Sequence, residues 1–316
     1  MHTLSRDVAG PVLAPRGSVV CIGAFDGVHR GHRYVLDHVC LRAAELNLEP
    51  AAISFEPVPR EFFARGSLAR LSSARDKVEQ IFDAGVSHLL LLRFNAALAA
   101  MSAEDFVKQV LVDRLAAREV LVGQGFRFGH SRRGDVLALQ RLGADHGFVA
   151  RELSPFAAQG ERVSSSAIRD LLAHSRFDAA AALLGRAFAI GGKVVHGRQL
   201  GRQLGYPTAN IRLGRRLAPL QGIFAVRVSG AGLVSHPSVA SLGVRPTVAG
   251  KEPLLEAHLF DFDGDLYGQR IEVEFVAKLR DEEKFPDLTS MVRQIDSDAA
   301  SARRILGATA IADAGA

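Results

Sequence analysis

Cysteine occurs only twice in 316 residues, tryptophan is absent, and tyrosine and methionine occur three times each. Cys21 and Cys40 are too few for a disulfide framework, and their surroundings, VVCIGAF and HVCLRAAEL, read as buried strand and helix positions. No zinc or redox role is expected of them. No run approaches the roughly 18 apolar residues of a membrane span, and the opening residues MHTLSRDVAGP lack an apolar signal core. The expectation is a cytoplasmic protein with no membrane partner. A block of one charge is missing as well. The net charge of +5 comes from 33 arginines and 6 lysines against 34 acidic residues, with 22 basic and 20 acidic up to residue 185 and 17 and 14 beyond it. So even an excess, with few aromatics to stack on bases, does not make the concentrated positive field that nucleic acid binds, and no nucleic-acid partner is expected. Nothing in the sequence specifies an oligomeric state.

What is present is an ordinary globular composition, 48% apolar, in a chain long enough to exceed one hydrophobic core. Two domains are the expectation. Short apolar runs at Ser18–Gly23, Ala51–Phe55, His88–Leu92, Glu119–Gly123 and Gly147–Arg151 alternate with helical spacing at Tyr34–Leu46, Ser102–Ala117 and Asp135–Asp145. That rhythm predicts a parallel sheet with helices on both faces and a ligand at the carboxyl ends of its strands. Past Arg162 come two short helical patterns, Ser165–Ala173 and Asp178–Leu184, and then strands at Val194–Val195, Ile223–Val228, Ser238–Leu242, Leu254–Phe260 and Ile271–Leu279 with a helix at Leu288–Ile305. A small antiparallel barrel with a C-terminal helix fits that half.

The segment Ile22-Gly23-Ala24-Phe25-Asp26-Gly27-Val28-His29-Arg30-Gly31-His32 leads from a strand into a helix. His29 and His32 share a face of its first turn, where free N–H groups attract phosphate. Gly27 and Gly31 permit close approach, and the imidazoles can donate to oxygens that gain charge during transfer. Two histidines at a helix start can also be plain surface residues. Farther along stands Arg162-Val163-Ser164-Ser165-Ser166-Ala167-Ile168-Arg169. Its serines can be simple N-caps; Ser165 and Ser166 with Arg162 and Arg169 also make a polyphosphate clamp.

GAFDGVHRGH with a later SSSAIR resembles the nucleotidylyltransferase superfamily, whose members attack the α-phosphate of a nucleoside triphosphate and release pyrophosphate without a covalent intermediate. Phe55-Glu56-Pro57-Val58-Pro59-Arg60 and Val122-Gly123-Gln124-Gly125-Phe126-Arg127-Phe128-Gly129, followed by Gly134-Asp135, are similar to its FAD synthetase branch, which implies Phe126 and Arg127 on the flavin side. FRFG also suits a hydrophobic strand and loop. The pattern departs from the branch at Ala24, Val58 and Gly125, where the branch often carries Asn, usually His, and usually Asn or Asp; Gly125 removes a polar side chain near the expected reaction centre.

The second constellation, Gly191 to Asn210 (GGKVVHGRQLGRQLGYPTAN), sets glycines beside basic residues, as a backbone folded around phosphates requires, but has no GxxxxGK[ST] P-loop. Thr208 and Asn210 alternate on an extended segment and offer oxygens to Mg²⁺; a turn and strand cap explains PTAN equally well. Glu256, in LEAHLFDFDGDLYG, is a carboxylate inside an apolar strand, able to take a proton from an attacking hydroxyl or simply to face solvent. Asp261–Asp265 lacks the order of a Ca²⁺ loop and is expected to be a hairpin turn.

GRQLGYPTANI, Gly243-Val244-Arg245-Pro246-Thr247, LEAHLFDFDGDLYG and Leu279-Arg280-Asp281-Glu282-Glu283-Lys284-Phe285 look like the riboflavin kinase domain. Across both halves the chain resembles the bacterial bifunctional riboflavin kinase/FAD synthetase family. The resemblance implies a Rossmann-like nucleotidyltransferase domain at 1–185 and a six-stranded barrel kinase at 186–316, using ATP and Mg²⁺ on riboflavin and FMN. It implies Glu256 as kinase base; Thr208 and Asn210 on Mg-ATP; Lys193, Gly197 and Arg202 on the phosphate loop; and Arg280, Glu283 and Phe285 beside the flavin. In the first domain it implies His29 and His32 at the α-phosphate, with Gly27, Gly31, Arg162, Ser165, Ser166 and Arg169 on the phosphates. Three alternatives stand beside it: a kinase with a decayed adenylyltransferase half, another nucleotidyltransferase with an appended barrel, and a non-enzymatic flavin-binding regulator.

Overall fold

The computed structural model describes residues 2–64, 68–158, 161–197, 201, 204–214, 216–247 and 250–313. Packing divides the chain into two units, residues 1–68 with 74–165 and residues 69–73 with 166–316. Among the described residues no helix is long and apolar enough to cross a membrane.

The first unit contains β1 (Thr3–Ser5), β2 (Ser18–Ile22), α1 (Arg30–Leu46), β3 (Glu49–Glu56), α2 (Pro59–Phe63), α3 (Ala74–Asp83), β4 (His88–Arg93), α4 (Ala96–Ala100) and α5 (Ala103–Asp105). A π-helical stretch, Phe106–Arg114, continues α5 and leads to β5 (Ala117–Gly123), α6 (Val136–His146) and β6 (Val149–Leu153). The six strands form one parallel sheet in the order β1-β4-β3-β2-β5-β6. Its strands are apolar on both sides because both are covered. Val20, Ile22, Ile53, Leu90 and Val120 pack with Val107, Leu111 and Leu139 on one face. Val19, Cys21, Ala52, Leu89 and Leu121 pack with Leu36, Val39 and Ile81 on the other. The residues of β2 thus divide by pleat alternation into two cores. Cys21 is wholly buried there and its thiol is pushed up by desolvation; Cys40, on α1, donates to Ala84 O at 3.4 Å.

The strand order turns back between β2 and β5, so the loops that leave their carboxyl ends flank a crevice. This is the parallel sheet expected from the alternating pattern. β1 was not among the expected strands, since three residues are too few to show an alternation. Gly147 caps α6 at φ +77° and therefore precedes β6 instead of opening it.

Before the second unit, β7 (Ala157–Ala158) and β8 (Glu161–Arg162) form a small hairpin that precedes α7 (Ser165–Ala173) and α8 (Phe177–Leu184). Then follow β9 (Ala189–Val195), β10 (Ala209–Arg212), β11 (Gly222–Gly230), β12 (Leu233–Thr247), β13 (Gly250–Leu259), β14 (Arg270–Arg280) and α9 (Leu288–Asp313). The six strands close into an antiparallel barrel, β10-β13-β12-β11-β14-β9. Closure leaves no unpaired edge. Phe177 of α8 packs edge-on to Phe224, which does the same to Phe275 at 5.1 Å. Outside, α9 buries Ala299, Ala302 and Leu306 against Ala225, Val239 and Phe260.

One expectation is corrected. Asp261–Asp265 is not a hairpin turn, because β13 pairs with β12 and β10 whereas β14 pairs with β11 and β9. The segment belongs to a loop that joins two strands which are not neighbours, and its length serves to line a cavity described below.

Candidate active sites

In the first unit the chain leaves β2 through a turn with Phe25 at φ +47° and Gly27 at φ +83°, and His29 caps α1. The His29 Nδ1 accepts the His32 backbone N–H at 3.2 Å. An accepting Nδ1 puts the proton of a neutral ring on Nε2. The ring of His29 stacks on that of His32 at 3.6 Å, and Phe25 meets His32 edge-on at 5.1 Å. Gly31 lies between the two histidines on the first turn of α1. The sequence motif therefore becomes one pair of rings, not two separate side chains.

Burial, helped by neighbouring His29 and Lys77, holds the His32 pKa well below its ordinary 6.5, so the ring is neutral. Its Nδ1 is buried and has no hydrogen-bond partner among the described residues. Because the unfolded chain binds a proton at His32 that the native protein does not, stability falls as pH drops through about 6.5 toward the lower native value. Urea unfolding between about pH 7.5 and 5 is expected to show this slope, reduced by up to one proton in His32→Gln. Equal slopes in the two proteins would remove the assignment.

Lys77, on α3, is wholly buried and was not singled out from the sequence. Its Nζ donates to Phe55 O at 2.8 Å and to the Glu56 carboxylate at 3.3 Å, fixing the end of β3. Beyond lies an aromatic group also missed: Phe62 and Phe63 of α2 stand edge-on to Phe94 at 5.4 and 5.8 Å, with Phe63 67% exposed. The FF that follows FEPVPRE was the available signal. At the crevice's other side, Phe126 stacks on Phe128 at 5.5 Å and Arg127 pairs with Asp135 at 3.4 Å. The Gly125 N–H donates to Glu152 Oε1 at 2.8 Å.

The SSSAIR motif divides between the units. Ser165 donates to Asp26 O at 3.0 Å, beside the histidine turn. Ser166 and Arg169 belong to the second unit, where Arg169 Nε donates to Ala69 O at 2.6 Å. The side chain of Arg162 lies outside the described residues, as does Arg202.

Two cavities lie among the described residues of the barrel. One, of about 500 Å³, is lined by Pro207, Thr208, Asn210 and the crossing loop with Asp263, Asp265 and Tyr267. The other, of about 410 Å³, is lined by Thr208, Glu256, Arg280, Glu283, Phe285 and Ile295. Thr208 is common to both. Register explains the arrangement, since Asn210 on β10 pairs directly with Glu256 on β13. Asn210 Nδ2 lies 3.3 Å from Thr208 Oγ1, and its Oδ1 faces Gly197, where a Cβ would collide with it. On the far wall Arg280 contacts Glu283 at 3.2 Å, sits over the Phe285 ring at 5.6 Å, and is held by Asp298 of α9 at 2.8 and 3.0 Å. The second cavity thus collects Glu256, Arg280, Glu283 and Phe285 from 30 residues of sequence. Lys193, exposed on β9, lines neither cavity. His258, Tyr206 and Asp298 also line the second cavity and were missed; Asp298 carried no sequence pattern apart from a polar helix face.

A parallel sheet with a histidine turn at a helix start, followed by a closed barrel with two cavities that share Thr208, fits a nucleotide-dependent transferase. The FAD synthetase family model matches residues 13–167 and the riboflavin kinase model residues 184–306. The chain is 43% identical over 311 residues to the bifunctional riboflavin kinase/FMN adenylyltransferase of Escherichia coli (strain K12), covering 98% of this chain and 97% of that one. It is 46% identical over 297 residues to the protein of the same name from Pseudomonas fluorescens, covering 93% and 95%. A crystal structure described as a macrolide-efflux protein from Streptococcus pneumoniae superimposes with a TM-score of 0.75 at 27% identity, covering 94% of this chain and 96% of that one. The chain belongs to the bifunctional riboflavin kinase/FMN adenylyltransferase family. It is an enzyme with both transferase domains present, and ATP is its co-substrate.

Proposed function

We propose that the chain makes FAD from riboflavin in two ATP-dependent steps in the cytoplasm, with residues 186–316 phosphorylating riboflavin and residues 1–185 adenylylating the FMN formed. The observation that carries the kinase step is the meeting of two cavities at Thr208, with Glu256 across from Asn210. The cavity with Asn210 takes ATP and the cavity with Phe285 takes the flavin. Glu256 removes the proton from the terminal side-chain hydroxyl of riboflavin; its oxygen bonds to the γ-phosphorus while the bond to ADP breaks. Thr208 and Asn210 fit Mg²⁺, a hard cation that keeps phosphate and water ligands, because the Thr208 hydroxyl and the Asn210 amide, each with a neutral oxygen, lie 3.3 Å apart beside the Gly197 backbone. When bound there, Mg²⁺ neutralises charge on the transferred phosphate. Gly197 backs this pair and Arg202 acts from the phosphate side, whereas Lys193, which lines neither cavity, has no part in the step; Arg280, Glu283 and Phe285 hold the flavin.

In the adenylylation step a phosphate oxygen of FMN attacks the α-phosphorus of ATP and pyrophosphate leaves. His29, with its proton on Nε2, and His32 stabilise the pentavalent charge, Gly27 and Gly31 admit the phosphates, and Ser165, Ser166, Arg162 and Arg169 hold the leaving group. Phe126 and Arg127 face the flavin, and the Phe62, Phe63 and Phe94 rings suit its flat ring system.

Incubation with riboflavin, ATP and Mg²⁺, with the flavins separated over time, tests both steps. FMN followed by FAD is expected; FMN that never becomes FAD would leave the kinase alone, and flavin bound without ATP consumption would make the protein a regulator. Gly125 bears on the first of these outcomes. It sits at φ +75° with nothing within 4 Å of an added Cβ, and asparagine tolerates that conformation. Gly125→Asn is expected to keep its melting temperature within a few degrees and to raise the rate of FAD formation, measured against an unchanged FMN rate.

A further inference from the structure

Residues 204–208 lead into β10 and bring Thr208 to the wall shared by the two cavities. Local bonds shape this loop: Leu204 and Tyr206 donate their N–H groups to Gly201 O at 3.0 and 2.8 Å. A barrel residue supports it, since His258 Nδ1–H donates to Pro207 O at 2.8 Å and its ring meets that of Tyr206 edge-on at 5.0 Å. A third contact leaves the barrel. Tyr206 Oη donates to Asp296 Oδ1 on α9. That bond, reinforced by burial, pushes the phenol up to about 12, so the proton that makes the bond is retained through the neutral range.

The helix at the other end of this bond is fixed by contacts of its own. Arg280 grips Asp298 at 2.8 and 3.0 Å, Arg303 grips Asp261 at 2.7 and 2.9 Å, and Arg227 donates to Leu306 O at 3.0 Å. Ala299, Ala302 and Leu306 are buried beneath it. Loss of the Tyr206 bond therefore loosens the loop, not the helix. Asp296 also follows Ile295, which lines the acceptor cavity with Met291 and Asp298. The helix turn that a ligand in that cavity touches is the turn that holds Tyr206.

We propose that Tyr206 is a positioning residue for riboflavin phosphorylation: its bond to Asp296 fixes Pro207–Asn210 against α9, so that the helix walling the flavin cavity also sets the Thr208–Asn210 pair on the ATP side. The inference rests on the kinase reading given above. Tyr206 touches no reacting atom in this role. It joins two half-sites that the barrel strands alone would hold more loosely, and the bond is a charge-assisted one of the stronger kind.

The test measures linkage, which a purely structural role would not move. Riboflavin is titrated by its fluorescence with and without a nonhydrolysable imido analogue of ATP plus Mg²⁺, in the wild type, Tyr206→Phe, Asp296→Ala and the double variant. The wild type is expected to bind riboflavin more tightly with the analogue present. Each single variant loses about three- to tenfold of that tightening, the double variant loses no more than either, and the KM for ATP rises by a similar factor with kcat within about twofold. Phenylalanine keeps the ring packing, and a far-UV circular dichroism spectrum that matches the wild type shows that each variant is folded. Tightening that persists in both single variants, losses that multiply in the double variant, or a wild type without tightening would each overturn the proposal. A wild type that does not phosphorylate riboflavin at all would instead overturn the kinase reading itself, and is seen separately in the turnover assay.

Discussion

Glu256→Gln is expected to slow riboflavin phosphorylation by about 10²- to 10⁴-fold, the usual contribution of a positioned general base, while FMN is still adenylylated at the wild-type rate. Glutamine keeps the shape and a hydrogen-bonding capacity at the β13 position opposite Asn210, so the barrel register and the cavity wall are preserved. What is removed is the ability to accept a proton. The loss should therefore fall on kcat, with riboflavin affinity changed little, because the flavin ring and the Arg280, Glu283 and Phe285 wall are untouched. Stopped-time assays with each flavin supplied separately check this. Retained phosphorylation in Glu256→Gln would take the base role away from this carboxylate and leave positioning as its contribution.

The second large effect is expected at the histidine pair. Replacing both His29 and His32 with alanine should lower FAD formation from FMN by at least about 10³-fold, since one donor to a developing charge contributes about 10²- to 10³-fold. Riboflavin phosphorylation should persist. His29 also caps α1 through its Nδ1, so alanine there removes a cap contributing about 1 kcal/mol to stability. His29→Asn separates the two functions: an asparagine oxygen can accept the His32 N–H, but it cannot place a donor where the Nε2 proton stands. If His29→Asn makes FAD as fast as the wild type, the ring is a cap and the catalytic assignment fails. Loss of both activities in a folded double variant would contradict independent sites in the two halves.

Much of the architecture was readable because its signals are local. Continuous apolar runs such as SVVCI and HLLLL mark strands covered on both faces, and the spacing of Leu36, Val39 and Ala43 marks a buried helix stripe. Motif glycines and histidines were equally visible, since a tight turn with φ above zero and an adjacent helix start both write themselves into neighbouring residues. Lys77 escaped because a buried lysine looks like any other lysine on an amphipathic helix until its ammonium is seen on Phe55 O. Asp261–Asp265 misled for a related reason. Gly and Asp predict a turn, but whether the flanking strands pair is decided elsewhere in the chain.

The sequence by itself determined the two kinds of layer, the histidine turn, the order of the motifs and the residue types able to do phosphoryl chemistry, because each depends on residues a few positions apart. Only the tertiary structure decided which of these residues meet. Glu256 faces Asn210 through barrel register, Arg280 is oriented by Asp298 from a helix 18 residues away, and Tyr206 reaches Asp296 across 90 residues. Such pairings come from closing the sheet and seating α9 on it, a minimum reached by burying apolar surface over the whole barrel, and no local window of sequence contains that information.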